Sequence, residues 1–447
     1  MAIAGIDLGT TNSATATIWM GRPEIIPNRY GGRSTPSVVG MTRQKKILVG
    51  KKARHQRIAL LGEPITEIKR KMGQNSEVPL GGKMFSPQQI SGYILKTLKM
   101  DAEQFLKTKI ECAVITIPAY FNESARRATR ESGEMAGLNV GMVLDEPTAA
   151  ALAYGVSREK EETVLVYDLG GGTFDISVIQ IEGAHFEVLA IDGDPHLGGK
   201  DFDHLLLDYL FHAVKEKYAF DLSQCNDLSR LSIAVEEAKC DLSYRLDAQV
   251  IVQNFTEDMD IDIDIKRELL EELVRPLVES TLVPIERVLE KSAMSVEEID
   301  HVLLVGGSTR MPIVRNTVQA FFKKAPRTDL NPDECVALGA ALYAQLLPEE
   351  TKKRYGGEMS WGKEEEDALV VVPKTAHSLG IGVDEAGSRY SVILPAGSFY
   401  PVSITRRDYF TAVDNQAGIE MWVYEGEDPV AQKNTPLGRI RLDLPRG

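Results

Sequence analysis

Two short segments hold the residue types that phosphate chemistry needs. The runs 5-GIDLGTTNSATATIW-19 and 167-YDLGGGTFD-175 each read Asp-Leu-Gly, then small residues, then an alternating apolar stretch. Successive backbone N–H groups of a glycine turn can form an anion nest without any helix dipole. Gly9, Thr10, Thr11 and Asn12 offer such a turn in the first run; Gly170, Gly171, Gly172 and Thr173 offer it in the second. Taken singly, each run is as readily a plain β-turn as a nest. The aspartate two residues before glycine in both copies tips the reading toward phosphate. A carboxylate beside a phosphate repels it unless a cation intervenes, and Mg²⁺ is often held by one or two carboxylates plus substrate phosphates. Asp7 and Asp168 match that need. Asp175 and Glu146 can order or polarise nearby water, and Glu146 opens a predicted helix whose dipole favours its ionised form.

The surroundings exclude two commoner glycine loops. Dinucleotide and Walker loops pass from strand into helix, and a Walker loop ends in Gly-Lys-Ser/Thr. Both runs here lead into strands, Ser13 to Trp19 and Asp175 to Ile181, and no G-x-x-x-x-G-K-[ST] occurs. They are expected to be tight β-hairpins. A third cluster, 302-VLLVGGSTRMP-312, does lead into a helix but lacks the lysine ending. It suits backbone approach to another part of a ligand, with Arg310 able to stack on a planar ring. Alone, it would read as an ordinary strand–helix turn with a surface arginine.

These segments need a scaffold of alternating strands and helices. Ile3–Leu8, Ser13–Trp19, 112-CAVITIP-118 and 140-VGMVLD-145 read as strands. Pro87 to Leu106 has helical periodicity, a helix with Asn122 as N-cap closes near Gly137, and 146-EPTAAALAYG-155 is a helix with Pro147 in its first turn. The pattern restarts at Val164 with strands through Ile191, helices at 202–218 and 231–244, strands at 248–255 and 259–265, one long helix from Lys266 to Lys291, a strand at 302–305 and a helix at 312–322. Such alternation over more than 300 residues indicates an α/β architecture. The restart, with a hairpin at the matching place, suggests an internal duplication. A charged, period-free stretch at 350–367 and an apolar run, 369-LVVV-372, separate this part from a C-terminal region of short strands at 378–383, 389–394, 400–405, 418–426 and 437–444.

The 447 residues carry a net charge of −14, which argues against nucleic acid as the main partner. The basic stretch 43-RQKKILVGKKARHQR-57 reads as a solvated face. Cys112, Cys225, Cys240 and Cys335 are too scattered for metal or redox pairs and suit a reducing compartment. There is no signal-like start and no apolar run of membrane-spanning length, so a cytoplasmic protein without membrane partners is expected.

Taken together and in order, IDLGTTNS, PAYFNESARRAT, DEPTAAALAYG, YDLGGGTFDIS, GDPHLGGKDFD, LLVGGSTRMP and NPDECVALGAA resemble the 70-kilodalton heat-shock chaperones (DnaK-like) over essentially the whole chain. The resemblance implies an actin-like, two-lobed ATPase of duplicated α/β subdomains followed by a small, partial β-sandwich. It places the nucleotide-binding domain at 1–366 with a lobe switch near 155–163, a linker at 367–373 and the substrate-binding β unit at 374–447. ATP or ADP with Mg²⁺, and K⁺ as a further ion, would sit between the lobes. The implied catalytic residues are Lys69, which would position the attacking water, with Glu146, Asp168, Thr173 and Asp175. Gly199 would lie near the phosphates; Glu236, Lys239 and Ser243 would contact adenosine, a trio whose i, i+3, i+7 spacing also permits one helical face. Gly307, Ser308, Arg310 and Asp333 would close the purine side. Implied partners are unfolded or extended polypeptides, a J-domain co-chaperone and a nucleotide exchange factor, with ATP docking the apolar linker near Arg126.

The chain departs from the family pattern at three points. Cys240 stands where many relatives carry arginine beside the purine, and Pro373 removes a backbone donor at the end of the linker. The sequence stops at Gly447, where the family's sandwich continues and a helical lid follows, so an unpaired edge and an open core are expected. These features leave a second reading, a nucleotide-gated regulatory or co-chaperone module with little peptide binding of its own. A filament-forming actin relative or a sugar kinase shares the hairpins but not the linker and β unit.

Overall fold

The computed structural model describes residues 2–55, 60–155, 161–183, 185–225, 228–256, 258–347, 370–372 (backbone), 375, 377–383, 388–398, 402–406, 409–410 and 418–443. Residues 156–160 of the lobe switch expected near 155–163, the charged run at 350–367 and Pro373 lie outside the described residues.

Two sheets are built on the same plan. In the first, β1 (Ala2–Asp7) forms an antiparallel hairpin with β2 (Asn12–Trp19), which continues to β3 (Arg22–Ile25). On its other side β1 lies parallel to β4 (Ile110–Ile117), itself parallel to β5 (Val140–Asp145). In the second, β6 (Glu162–Leu169) forms the hairpin with β7 (Phe174–Glu182), which continues to β8 (His185–Asp194). The strands β9 (Asp247–Thr256) and β10 (Met259–Lys266) form a separate antiparallel ribbon, and β11 (His301–Val305) lies parallel to β6. Each sheet thus has a hairpin at its centre with a parallel neighbour on the same flank, as a duplicated unit requires.

The helices fill the space around these sheets. Helix α1 (Pro87–Leu106) starts in a capping box of Ser86 and Gln89, and α2 (Glu123–Met135) starts where Asn122 accepts from the Ala125 N–H at 2.9 Å. Helices α3 (Glu146–Ala153), α4 (Gly199–Tyr218) and α5 (Ser229–Leu242) follow. The expected long helix at 266–291 is two helices, α6 (Arg267–Ser280) and α7 (Leu282–Ser292). Pro284 has no N–H to give the Ser280 carbonyl, so the ladder breaks there. After α8 (Pro312–Phe322) comes α9 (Cys335–Leu346), a helix the sequence reading did not anticipate. Its residues are apolar all round, so no amphipathic period marks it.

Helices α3 and α9 cross between the sheets, sharing one apolar cluster with Cys112 and Val114 of the first sheet and Val164, Val166 and Ile179 of the second. The crossing is close because both faces are small: a Cβ on Gly339 would stand 1.7 Å from the Ala149 carbonyl oxygen. Each lobe has its own further core, around Ile90, Ile94, Leu95 and Ile115 in the first and Phe202, Leu206, Val235 and Val274 in the second.

Strand β12 (Val370–Val372), within the apolar run 369–372, runs parallel to β8, with His185 opposite Val370. The C-terminal unit is one antiparallel sheet in the order β14 (Arg389–Leu394), β13 (Leu379–Val383), β15 (Gly418–Glu425), β16 (Thr435–Asp443). The strand expected at 400–405 is absent among the described residues, 402–406 having no regular structure. Among the described residues strand β16 is at the edge of this sheet, and Trp422, Ile440 and Leu442 are exposed.

Candidate functional site

The two hairpins face each other across a cleft between the lobes. Asp7 ends β1 and Asp168 lies at the equivalent place on β6, directly across from Asp175 on β7. The hairpins touch: a Cβ on Gly171 would come within 2.1 Å of the Thr11 hydroxyl. Between them opens a cavity of about 480 Å³. Asp7, Gly9, Thr10, Thr11 and Asn12 line it from the first lobe with Lys69 and Glu146. Asp168, Gly170, Gly171, Thr173, Gly199, Glu236, Lys239 and Ser243 line it from the second, and Gly307, Ser308, Arg310 and Asp333 close it. Two predicted residues stand apart from the lining. Gly172 is covered by the Arg70 guanidinium, and Asp175 is buried behind Asp168.

The far end is organised by polar contacts between elements. Lys239 on α5 donates to the Gly199 carbonyl at 2.7 Å and ion-pairs with Asp203 on α4 at 2.8 Å. Ser308 donates to the Gly170 carbonyl at 2.8 Å, tying the third glycine cluster to the second hairpin. Gly306 has φ 83°, and any side chain there would strike the Leu169 carbonyl, so this turn requires glycine. Arg310 holds Asp333 through Nε at 2.9 Å and Nη2 at 2.7 Å, and donates to the Tyr244 hydroxyl at 3.0 Å. Glu236 pairs with Arg54 of the first lobe. Cys240 also lines the cavity and is exposed; all four cysteines are free thiols.

Charge is concentrated at the near end. Glu146 and Asp175 are buried there and Asp7 and Asp168 are half-buried at the cavity wall, with Lys69 ion-paired to Glu146. Burial, then the charge of Glu146, pushes Asp7 up to about 7. The same causes hold Asp168 well above the usual carboxylate range; Asp175 is raised by burial and by Asp168. Lys69 stays protonated because Glu146 and Asp7 outweigh its desolvation. Four carboxylates share the single Lys69 charge, so a further cation would be stabilised here, and hard oxygen donors from two matching strand ends fit a hydrated Mg²⁺. Among the described residues no group of three or more His, Cys, Asp or Glu can hold a metal by itself. A metal held by Asp7 and Asp168 would take its remaining ligands from water and phosphate.

Sequence reasoning did not single out Lys200, Asp203 and Tyr244 on the cavity wall, or Arg70 behind the second hairpin. The signal for Lys200 and Asp203 was their place beside Gly199 in GGKDFD, at the start of a helix. Arg126 lies where α2 meets the β unit: it ion-pairs with Asp145, and the neighbouring Glu123 N–H donates to Glu425 on β15. The backbone of Val370–Val372, in the apolar run, pairs with β8. No helix among the described residues is long and apolar enough to cross a membrane.

Comparison with known proteins bears on the whole chain. The family model described as Hsp70 protein matches residues 3–80 and 75–445. Proteins named chaperone protein DnaK from Thermosipho melanesiensis, Thermotoga petrophila and Thermotoga maritima are 43%, 44% and 44% identical, each over 100% of this chain and 74% of the relative. With duplicated sheets, facing hairpins and a C-terminal β sheet, the chain belongs to the Hsp70 family, with its actin-like ATPase fold.

Proposed function

We propose that the interlobe cavity binds ATP with Mg²⁺ and hydrolyses it, and that the nucleotide state governs capture of unfolded or extended polypeptide. The chain is an ATP-dependent chaperone of its family, and the regulatory-module reading is not favoured by relatives that are named chaperones over this chain's full length. The carrying observation is the pair of hairpins that meet at Gly171 and Thr11, with Asp7, Asp168 and Lys69 beside them.

In this reading the phosphates lie against Gly9–Asn12 and Gly170–Thr173, and Gly199 leaves room beside them. Asp7 and Asp168 would hold Mg²⁺, which when bound offsets phosphate charge; K⁺ would be a further ion. Lys69, fixed by Glu146, orients the attacking water, and Glu146 and Asp175 order the water around it. Phosphoryl transfer to water needs positioning and charge stabilisation and no covalent intermediate. Glu236, Lys239 and Ser243 take adenosine from α5, and Gly307, Ser308, Arg310 and Asp333 take it from the opposite wall.

At the level of the chain, residues 1–366 would form the nucleotide-binding domain, 367–373 the linker and 374–447 the substrate-binding β unit. A J-domain co-chaperone, a nucleotide exchange factor and a cytoplasmic location complete the proposal. ATP turnover by wild type and Lys69→Ala tests it. We expect wild-type hydrolysis and a loss of about 100-fold or more in the variant, with ATP affinity retained. Equal rates would remove Lys69 from the mechanism, and no wild-type hydrolysis would refute the ATPase reading.

A further inference from the structure

The turn that carries Lys69 grips the opposite lobe through residues on its other side. Ile68–Lys71 is a 3₁₀ turn preceded by Glu67. Side chains three residues apart eclipse in such a turn, so Glu67 and Arg70 share a face, and their carboxylate and guanidinium meet at 2.8 Å. Arg70 also donates across the cleft to the carbonyl of Gly172, in the second hairpin. Glu67 pairs across the cleft with Lys200, in the first turn of α4. A lysine there opposes the helix dipole, so a carboxylate brought against it relieves an unfavourable placement. Lys200 is no loose surface cation: its backbone N–H donates to the Gly171 carbonyl at 2.9 Å. The second hairpin and the start of α4 are thus one unit, held at two points by one turn of the first lobe.

Two features set this apart from an ordinary surface ion pair. Glu67, Arg70 and Lys200 keep only about a quarter of their side-chain exposure, so their interaction is less screened than at an open surface. Glu67 also holds a left-handed φ of 54°, a conformation that a side chain disfavours. Its neighbours must hold it there.

We propose that Glu67, Arg70 and Lys200 form an ionic clasp that fixes the Lys69 turn against the second hairpin, making Glu67 and Arg70 positioning residues for hydrolysis. The clasp rests on the reading of Lys69 as the group that orients the attacking water. When the clasp is closed, Lys69 is held at the phosphate hairpin; when it opens, nucleotide remains bound but water is no longer aligned.

The test is single-turnover ATP hydrolysis, with ATP affinity measured in parallel, for wild type, Glu67→Gln, Lys200→Gln and the double variant. Each single change should slow hydrolysis by about tenfold while affinity stays within about threefold, since misplacement of a reacting group costs rate more than binding. The double variant should be no slower than the slower single one, because both remove the same pair. Arg70→Gln should behave like Glu67→Gln, with partial recovery in Arg70→Lys. Rates within about twofold of wild type, or losses that multiply in the double variant, would overturn the clasp. Lys69→Ala in the same assay separates the two failures. If it is slow while the clasp variants are not, only the clasp falls; if it too matches wild type, the reading of Lys69 falls and the clasp with it.

Discussion

Asp7 and Asp168 sit in the same register of two copies of one hairpin, and burial with nearby negative charge makes both harder to ionise. Burial and neighbouring charge raise Asp7 from its ordinary 3.8 to about 7. A carboxyl whose pKa is higher folded than unfolded contributes stability at low pH, lost as pH rises through the folded value. Without metal and nucleotide, thermal stability should therefore fall between about pH 4 and 7, and Asp7→Asn should flatten that fall. Ligand binding restores stability, so adding Mg²⁺ and ATP should recover the wild type more than the variant. Scanning calorimetry against pH measures this, and parallel profiles for both proteins would contradict it. The aspartates and glycines were legible in sequence because they are consecutive and repeated. Lys200, Asp203 and Tyr244 were not, because a polar residue on a helix reads as a solvated face until packing turns that face inward.

At the scale of elements, the alternation of strands and helices and the restart at Val164 were legible from periodicity. Helix α9 was hidden for the reason that makes it useful. A helix lying between two sheets buries its whole circumference, so it carries no polar stripe. Small residues at its crossing with α3 let both sheets approach. Gly339→Val would drive a branched side chain into the Ala149 carbonyl, and we expect a loss of about 3 kcal/mol or more in urea unfolding. A substitution that leaves the unfolding midpoint in place would show the crossing to be looser than described. The split at Thr281 was missed in the single helix expected at 266–291, although Pro284 is a signal for it. The absence of regular structure at 402–405, the described part of the strand expected at 400–405, was not legible, since strand formation depends on a pairing partner as well as on β-branched residues.

For the molecule as a whole, the β unit meets the first lobe where Glu425 accepts from the Glu123 N–H at the start of α2, at 3.2 and 3.3 Å. Burial raises Glu425 from 4.5 to about 7 despite that hydrogen bond and nearby Arg126. Docking should therefore be favoured at low pH and weaken as pH rises through about 7, and Glu425→Gln should remove that dependence. Hydrogen exchange of the first turn of α2 measures it; an unchanged pH dependence in the variant would contradict it. The central claim is that the two facing hairpins are where ATP binds, and calorimetric titration of ATP with Mg²⁺ into wild type and Gly171→Val tests it most directly. Wild type should bind and the variant should not, and the variant's fold should persist because the three atoms nearest the added Cβ all belong to Thr11 across the cleft. Equal binding by both proteins would contradict it.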